Sequence, residues 1–260
     1  MPRKRTVGLI AVAVAATAGL MVSQIGPASA ALSPTVAPGG NFNLGVWALQ
    51  LPTGSPGSPT TIQPAQLRGA SGYVNPAYFF TDKTDGSMTM FAPEKGVTTP
   101  NSSFARTEFR EMNANGSAAN WTLAGNHTLS ATLRIVFVTH HVAVGQVHLG
   151  TGGTSTKPLL ELYYHANGDI RLGTENSPAG GQTSHLVGHV AMGQQWSYVM
   201  NVTGNTANLT INGSRTSYSI PSSFNPYRQY FKAGSYNQSS SSSTTNGAKV
   251  KFYALNVSHS

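Results

Sequence analysis

Leu160-Glu161-Leu162-Tyr163-Tyr164-His165-Ala166-Asn167-Gly168-Asp169-Ile170-Arg171-Leu172 reads as a β-hairpin. Leu160, Leu162 and Tyr164 share one side of a strand, because strand side chains alternate with period two. Asn167-Gly168 then supplies a type I′ turn signal, and Ile170 and Leu172 continue the apolar face on the return. The same rhythm recurs along the chain. Leu133, Ile135 and Phe137 alternate with Arg134, Val136 and Val138. Trp196, Tyr198, Met200 and Val202 lead to Gly204-Asn205, and Leu209 and Ile211 follow. Val250, Phe252 and Ala254 repeat it near the end. No segment carries a 3.6-residue apolar stripe with caps, and the one short helical signal is Pro64-Ala65-Gln66-Leu67. Many short antiparallel strands without a βαβ rhythm predict an all-β fold, a two-sheet sandwich or β-jelly roll.

Composition narrows the function classes. The chain has 260 residues and no cysteine. That excludes a disulfide framework, a thiolate metal site and a cysteine nucleophile. Charged residues make up 9%, against about 25% in an ordinary soluble domain, so a coiled coil is excluded. The hydrophobic share of 39% excludes a disordered polar chain. Arg3-Lys4-Arg5, the apolar run 7–22 and Gly26-Pro27-Ala28-Ser29-Ala30 form a secretory signal peptide over residues 1–30, cut after Ala30. The expected product is a secreted, extracellular protein with no membrane attachment. The formal charge is +8, and removing three cations with the leader lowers it to +5. The remaining charge is diffuse, which argues against nucleic-acid binding. Residues 31–260 are long enough for one large sandwich and show no internal repeat. Ala31 to Asn43 reads as a leader or an outer first strand, and Ser239 to Ser243 as a polar loop.

Three strand segments carry polar residues unsuited to a plain core. In Arg106-Thr107-Glu108-Phe109-Arg110-Glu111, strand spacing puts Arg106, Glu108 and Arg110 on one face. Two guanidiniums can grip a carboxylate, with Glu108 holding them. A solvated salt-bridge ladder fits the same pattern. Glu108 and Glu111 face opposite ways and make no catalytic pair. In Gln146-Val147-His148, the amide and the imidazole share a face; the histidine suits a general base, or a core histidine bonded to backbone. In Tyr230-Phe231-Lys232-Ala233-Gly234-Ser235-Tyr236-Asn237-Gln238, the residues Tyr230, Lys232, Tyr236 and Gln238 share a face. Lys232 beside Tyr236 favours the phenolate and so proton exchange, whereas an amphipathic strand with a snorkelling lysine is the plainer alternative. Gly234 leaves room for a ligand or a backbone. Together the segments suit an anionic substrate and proton transfer. Glycoside hydrolysis, which normally needs a flanking carboxylate pair, fits poorly. His140 and His141 point apart on a strand, so no metal site is expected.

Those three segments, in this order, resemble the signature segments of polysaccharide lyase family 7, the alginate lyases. Trp47-Ala48-Leu49-Gln50-Leu51-Pro52 and Thr98-Thr99-Pro100-Asn101-Ser102 also look like family pieces, and the resemblance spans roughly 45–258. It implies a β-jelly roll whose concave sheet face forms the substrate groove. It implies β-elimination at the 4-O-glycosidic bond of a polyuronate, endolytic, without metal or cofactor, by a monomer. The implied catalytic residues are Tyr236, His148, Gln146 and Arg106. The implied substrate-binding residues are Arg110, Lys232, Glu108, Asn237 and Gln238. Thr107 and Phe109 stand where many members have Ser and Leu. Val147, where many have Ile, goes with mannuronate preference within the family. Another β-uronan such as glucuronan is an alternative substrate, and a non-catalytic polyuronate-binding module is an alternative function.

Overall fold

The computed structural model describes residues 31–260, and the expected signal peptide lies outside them. The alternating segments all become antiparallel strands. In chain order these are β1 (Trp47–Ser55), β2 (Ser58–Ile62), β3 (Phe79–Thr81), β4 (Met88–Pro93) and β5 (Arg106–Glu111). Then come β6 (Asn126–Val138), β7 (His141–Leu149), β8 (Pro158–His165), β9 (Asp169–Glu175) and β10 (Gln182–His189). The last are β11 (Gln195–Thr203), β12 (Thr206–Ile211), β13 (Ser214–Ser219), β14 (Gln229–Asn237) and β15 (Gly247–His259). One sheet has the order β10-β9-β8-β7-β14-β5-β1-β2, and the other β13-β12-β11-β6-β15-β4-β3. The architecture is the jelly-roll sandwich that the alternation predicts.

The apolar parity of each strand fills the space between the sheets. Trp47, Phe109, Tyr164, Trp196, Tyr198 and Phe252 are all fully buried there. Phe109 meets Phe79 edge-on at 5.7 Å and Trp47 at 5.6 Å, favourable aromatic geometries. With no disulfide possible, this burial supplies the driving force for folding.

The hairpin of β8 and β9 pairs Leu162 with Leu172 and Tyr164 with Ile170, as the sequence predicts. Its turn differs. Only Gly168 takes a positive φ, 93°, and its N–H donates to the His165 carbonyl at 2.9 Å. A type I′ turn needs positive φ at both central residues, so the chain closes through a longer loop ending in glycine. Gly204-Asn205 is a two-residue turn with positive φ at Gly204 alone, the type II′ pattern. Pro64–Leu67 is a helical turn with a capping box from Gln63 and Gln66. The segment before β1 is neither a free leader nor a strand. Pro38–Asn41 is a helical turn, with Pro38 at its start where a missing N–H costs nothing, and Phe42 and Leu44 drop into the core.

Two sites tie the sheets together beneath the polar strands. Tyr198 of β11 donates its hydroxyl to the Val144 carbonyl of β7 at 3.1 Å. A Cβ at Gly145 would lie 2.7 Å from that oxygen, so only glycine admits the tyrosine there. Glu111 lies on the inner side of β5, accepting from Trp121 Nε1 at 3.0 Å and the Phe231 amide at 2.8 Å. Its other oxygen meets His259 Nε2 at 2.5 Å, and His259 Nδ1 meets His127 Nδ1 at 2.8 Å, so the end of β15 is clasped to β5 and β6. Among the described residues, no helix is long and apolar enough to cross a membrane.

Candidate active site

The outer face of the eight-stranded sheet holds a cleft of about 490 Å³. Arg106, Arg110, Gln146, His148, Lys232, Tyr236 and Gln238 all line it. Sheet order explains the meeting. β14 lies between β5 and β7, pairing Lys232 with Arg110 on one side and with Gln146 on the other.

Glu108 lies under this floor rather than on it. It is 1% exposed and does not line the cleft. Its Oε2 accepts from Lys232 Nζ at 2.5 Å and Arg106 Nη1 at 3.2 Å, and its Oε1 accepts from Gln146 Nε2 at 2.5 Å. Glu108 therefore positions three cleft residues and is not itself placed to touch substrate. Burial opposes its charge, but Lys232 and Arg106, with the hydrogen bonds of Lys232 and Gln146, hold the carboxyl below its ordinary range. Two cations share one carboxylate, so the cluster keeps a net positive charge. Burial and Arg106, opposed by Glu108, bring Lys232 down to about 8.

Tyr236 is held from three sides. Its hydroxyl is 3.0 Å from Ser102 Oγ, and Arg106 stacks its guanidinium 3.8 Å from the ring centroid while donating Nη2 to the same Ser102 oxygen at 3.0 Å. Lys232 Nζ is 5.9 Å from the ring centroid. The strand is bulged here: pairing with β7 shifts between Ala233 and Tyr236. Gly234, at φ 152°, makes the bulge, and a Cβ on it would come within 2.6 Å of the Thr107 carbonyl and 2.7 Å of Glu108 Cα. Its missing side chain admits the neighbouring backbone rather than a ligand. Gly234→Ala is expected to cost about 1–3 kcal/mol of stability and to lower turnover by displacing Tyr236 and Glu108 together. A denaturant midpoint equal to that of the parent chain would contradict this.

His148 hydrogen-bonds through Nδ1 to the Leu149 carbonyl at 2.9 Å, and a carbonyl only accepts, so Nδ1 carries the proton. The neutral ring then presents Nε2 as a free lone pair. Burial and Lys232 bring its pKa down to about 4, so the ring is neutral at neutral pH. Tyr230 stacks on it with centroids 5.2 Å apart and in turn carries the Arg110 guanidinium 4.0 Å from its ring centroid.

Asn237 corrects the sequence reading. It is fully buried, donating to the Ser239 carbonyl at 2.6 Å and the Pro93 carbonyl at 3.4 Å. It lies between Tyr236 and Gln238, so period two turns it to the opposite face. It ties down the serine loop, where Ser239 and Ser241 also donate to Glu94 at 2.9 and 2.5 Å. His141 stacks on His165 at 4.8 Å, and no cluster of three potential ligands forms among the described residues. Ser102, Tyr230, Glu161 and Lys157 add to the cleft beyond the residues assigned from sequence.

The model of the alginate lyase family matches residues 42–259, which takes in all three polar strands. The chain belongs to polysaccharide lyase family 7. Among solved structures, alginate lyase A1-II′ of this family is 34% identical, with a TM-score of 0.78 over 86% of this chain and 99% of that one. An alginate lyase of Pseudomonas aeruginosa is 30% identical, with a TM-score of 0.75 over 84% and 99%. An alginate lyase of Klebsiella pneumoniae is 26% identical over 86% of this chain and 91% of its own length. Two further A1-II′ structures are of altered forms. One, with tyrosine changed to phenylalanine, is in complex with product (GGG); the other, also changed from histidine to asparagine, is in complex with substrate (GGMG). As a member of this family the chain is a polysaccharide lyase.

Proposed function

We propose that this protein is a secreted, endolytic alginate lyase with a preference for mannuronate. The observation that carries the lyase reading is the convergence of Tyr236, His148, Gln146 and Arg106 on one cleft above a buried carboxylate. A uronate carboxylate sits against Arg106 and Gln146, with Arg110 assisting. Each of these keeps N–H groups beyond those spent on protein partners. Neutralising that carboxylate acidifies the C5 proton and stabilises the enolate-like intermediate. A base takes the C5 proton, the C4–O4 bond breaks, and a C4=C5 double bond forms. Tyr236 gives its proton to the departing O4. His148 Nε2 takes the C5 proton when the two bonds lie on opposite faces of the ring. Tyr236 serves both steps when they lie on the same face. The product carries an unsaturated non-reducing uronate end.

Endolytic action is supported by the reach of the cleft. Its lining comes from six neighbouring strands, β2 to β8, which at about 4.8 Å per strand is about 24 Å of surface. That is room for several sugars. Mannuronate preference rests on Val147, whose side chain is in the core between Gln146 and His148 and so acts through the placing of its neighbours. Secretion rests on the leader 1–30. The test is incubation with polymannuronate, polyguluronate, mixed alginate and glucuronan. Unsaturated ends, seen as new ultraviolet absorbance, are expected fastest on polymannuronate, with viscosity falling early. Absorbance on glucuronan alone would move the substrate; reducing ends without absorbance would mean hydrolysis; neither would leave a binding module.

A further inference from the structure

Glu161 of β8 lines the cleft directly across from Gln146, and the elimination does not use it. It is 8% exposed. Its Oε2 accepts from the Tyr163 hydroxyl and from Gln182 Nε2 at 2.9 Å. Gln182 is seated for this contact: a Cβ at Gly173 would lie 2.3 Å from its amide carbon, so glycine there clears its path. Oε1 has no protein partner among the described residues and is not enclosed. Lys232, the cation acting on Glu161, is committed to Glu108. A carboxylate in this position would be buried, without an ion-pair partner, and beside the path of a polyanion.

We propose that Glu161 binds the polymer as a neutral carboxylic acid, its Oε1 hydroxyl donating a hydrogen bond to a carboxylate of the uronate next to the reacting sugar. This rests on the reading of the cleft as a polyuronate site. One strand spacing separates Glu161 from Gln146, which places it at the neighbouring sugar rather than the reacting one. The two donors on Oε2 leave Oε1 as the oxygen that carries the proton. Two protonated or cationic donors to neighbouring uronates, rather than one anion among them, make the wall compatible with the substrate's charge.

The surroundings agree. Burial pushes Glu161 up, against the hydrogen bonds from Tyr163 and Gln182. Glu108 of β5, covered by Arg106, Gln146 and Lys232, adds to the rise, and Lys232 of β14 opposes it. Glu175 of β9 is raised in turn by burial and by Glu161, with Lys157 opposing. Arg106, Arg110, His148, Tyr230 and Tyr236 are the other titratable or charged groups that line the same cleft.

The test is KM and kcat on alginate from pH 5 to 9 for the parent chain, Glu161→Gln and Tyr163→Phe. The glutamine keeps a donor and cannot ionise. The ratio of parent to Glu161→Gln KM is expected to start within about threefold of one at acid pH. Above the ionisation of Glu161 it should climb about tenfold per pH unit. Tyr163→Phe removes a bond that favours the carboxylate, so the climb should move to higher pH; a purely structural tyrosine would not shift it. Parallel KM profiles for the parent and Glu161→Gln, or an unmoved climb in Tyr163→Phe, overturn the proposal. If Glu161→Gln does not fold, the rise of KM with pH in the parent chain, compared directly with that in Tyr163→Phe, decides the matter. Absence of unsaturated product from the parent chain on every polyuronate is a separate outcome, which overturns the cleft reading itself.

Discussion

Tyr236→Phe is expected to lower kcat by about 10²–10⁴-fold while KM stays within a few-fold. The change removes one oxygen and leaves the ring. The Arg106 stack at 3.8 Å and the bulge at Gly234 depend on the ring and the backbone, so the cleft keeps its shape. What is lost is the proton for the departing O4. Leaving as an alkoxide is far costlier than leaving as an alcohol, and the penalty falls on the transition state rather than on binding. The measurement is initial rate by ultraviolet absorbance, alongside a thermal melt. An unchanged kcat would remove Tyr236 from the reaction. Ser102→Ala offers an internal comparison, because it takes away the 3.0 Å partner of the hydroxyl and leaves the proton donor. Its loss should be the smaller of the two.

The alternation of Leu160, Leu162 and Tyr164, or of Trp196 through Val202, was enough to read strands and a sandwich, because burial on one face enforces period two. The same parity placed Arg106, Gln146, His148, Lys232, Tyr236 and Gln238 outward. What parity cannot supply is strand order. Nothing local in Arg106–Glu111 or Gln146–His148 says that β14 lies between β5 and β7, and the meeting of those strands came from the family resemblance. Glu108 shares the outward face of Arg106 and Arg110, and by parity alone it belongs with the substrate-binding residues. Only the three-dimensional neighbours show that Lys232, Arg106 and Gln146 cover it. Asn237 is legible as an inward residue from the sequence, since its odd parity against Tyr236 turns it to the opposite face. Glu161 was visibly outward on its strand. Its place in the cleft depends on β8 pairing with β7, a contact across a loop whose length does not reveal which face it serves.

Glu108→Gln is expected to cost about 3–5 kcal/mol, a larger loss than a surface ion pair accounts for. The amide has the same shape, but it leaves Arg106 and Lys232 buried beside each other without their shared anion. Lys232 sits at about 8 with the carboxylate present. Without it, the opposing influence is gone, and the lysine is expected to shed its proton near neutrality, whereas Arg106 cannot. The pH dependence has a definite sign. A carboxyl held below its ordinary 4.5 in the fold contributes stability above that value, and the contribution is lost as pH falls through the folded-state value. The parent chain should therefore lose stability on acidification below about 4.5 in a way that Glu108→Gln does not. Turnover should fall as well, by about 10²-fold, because Gln146 and Arg106 lose the oxygens that aim them and a displacement near 1 Å is costly in a preorganised site. Urea unfolding at pH 7 and pH 4 for both chains separates the two effects. Changing all three members together, Arg106→Met, Glu108→Leu and Lys232→Met, should recover much of the stability without recovering activity, since a buried ionic cluster can be replaced by packing while its positioning of Gln146 cannot. Equal stability of Glu108→Gln and the parent at pH 7 would mean that the cluster is wetter than its burial implies, and the assignment of Glu108 as the anion that organises the cleft would fall with it.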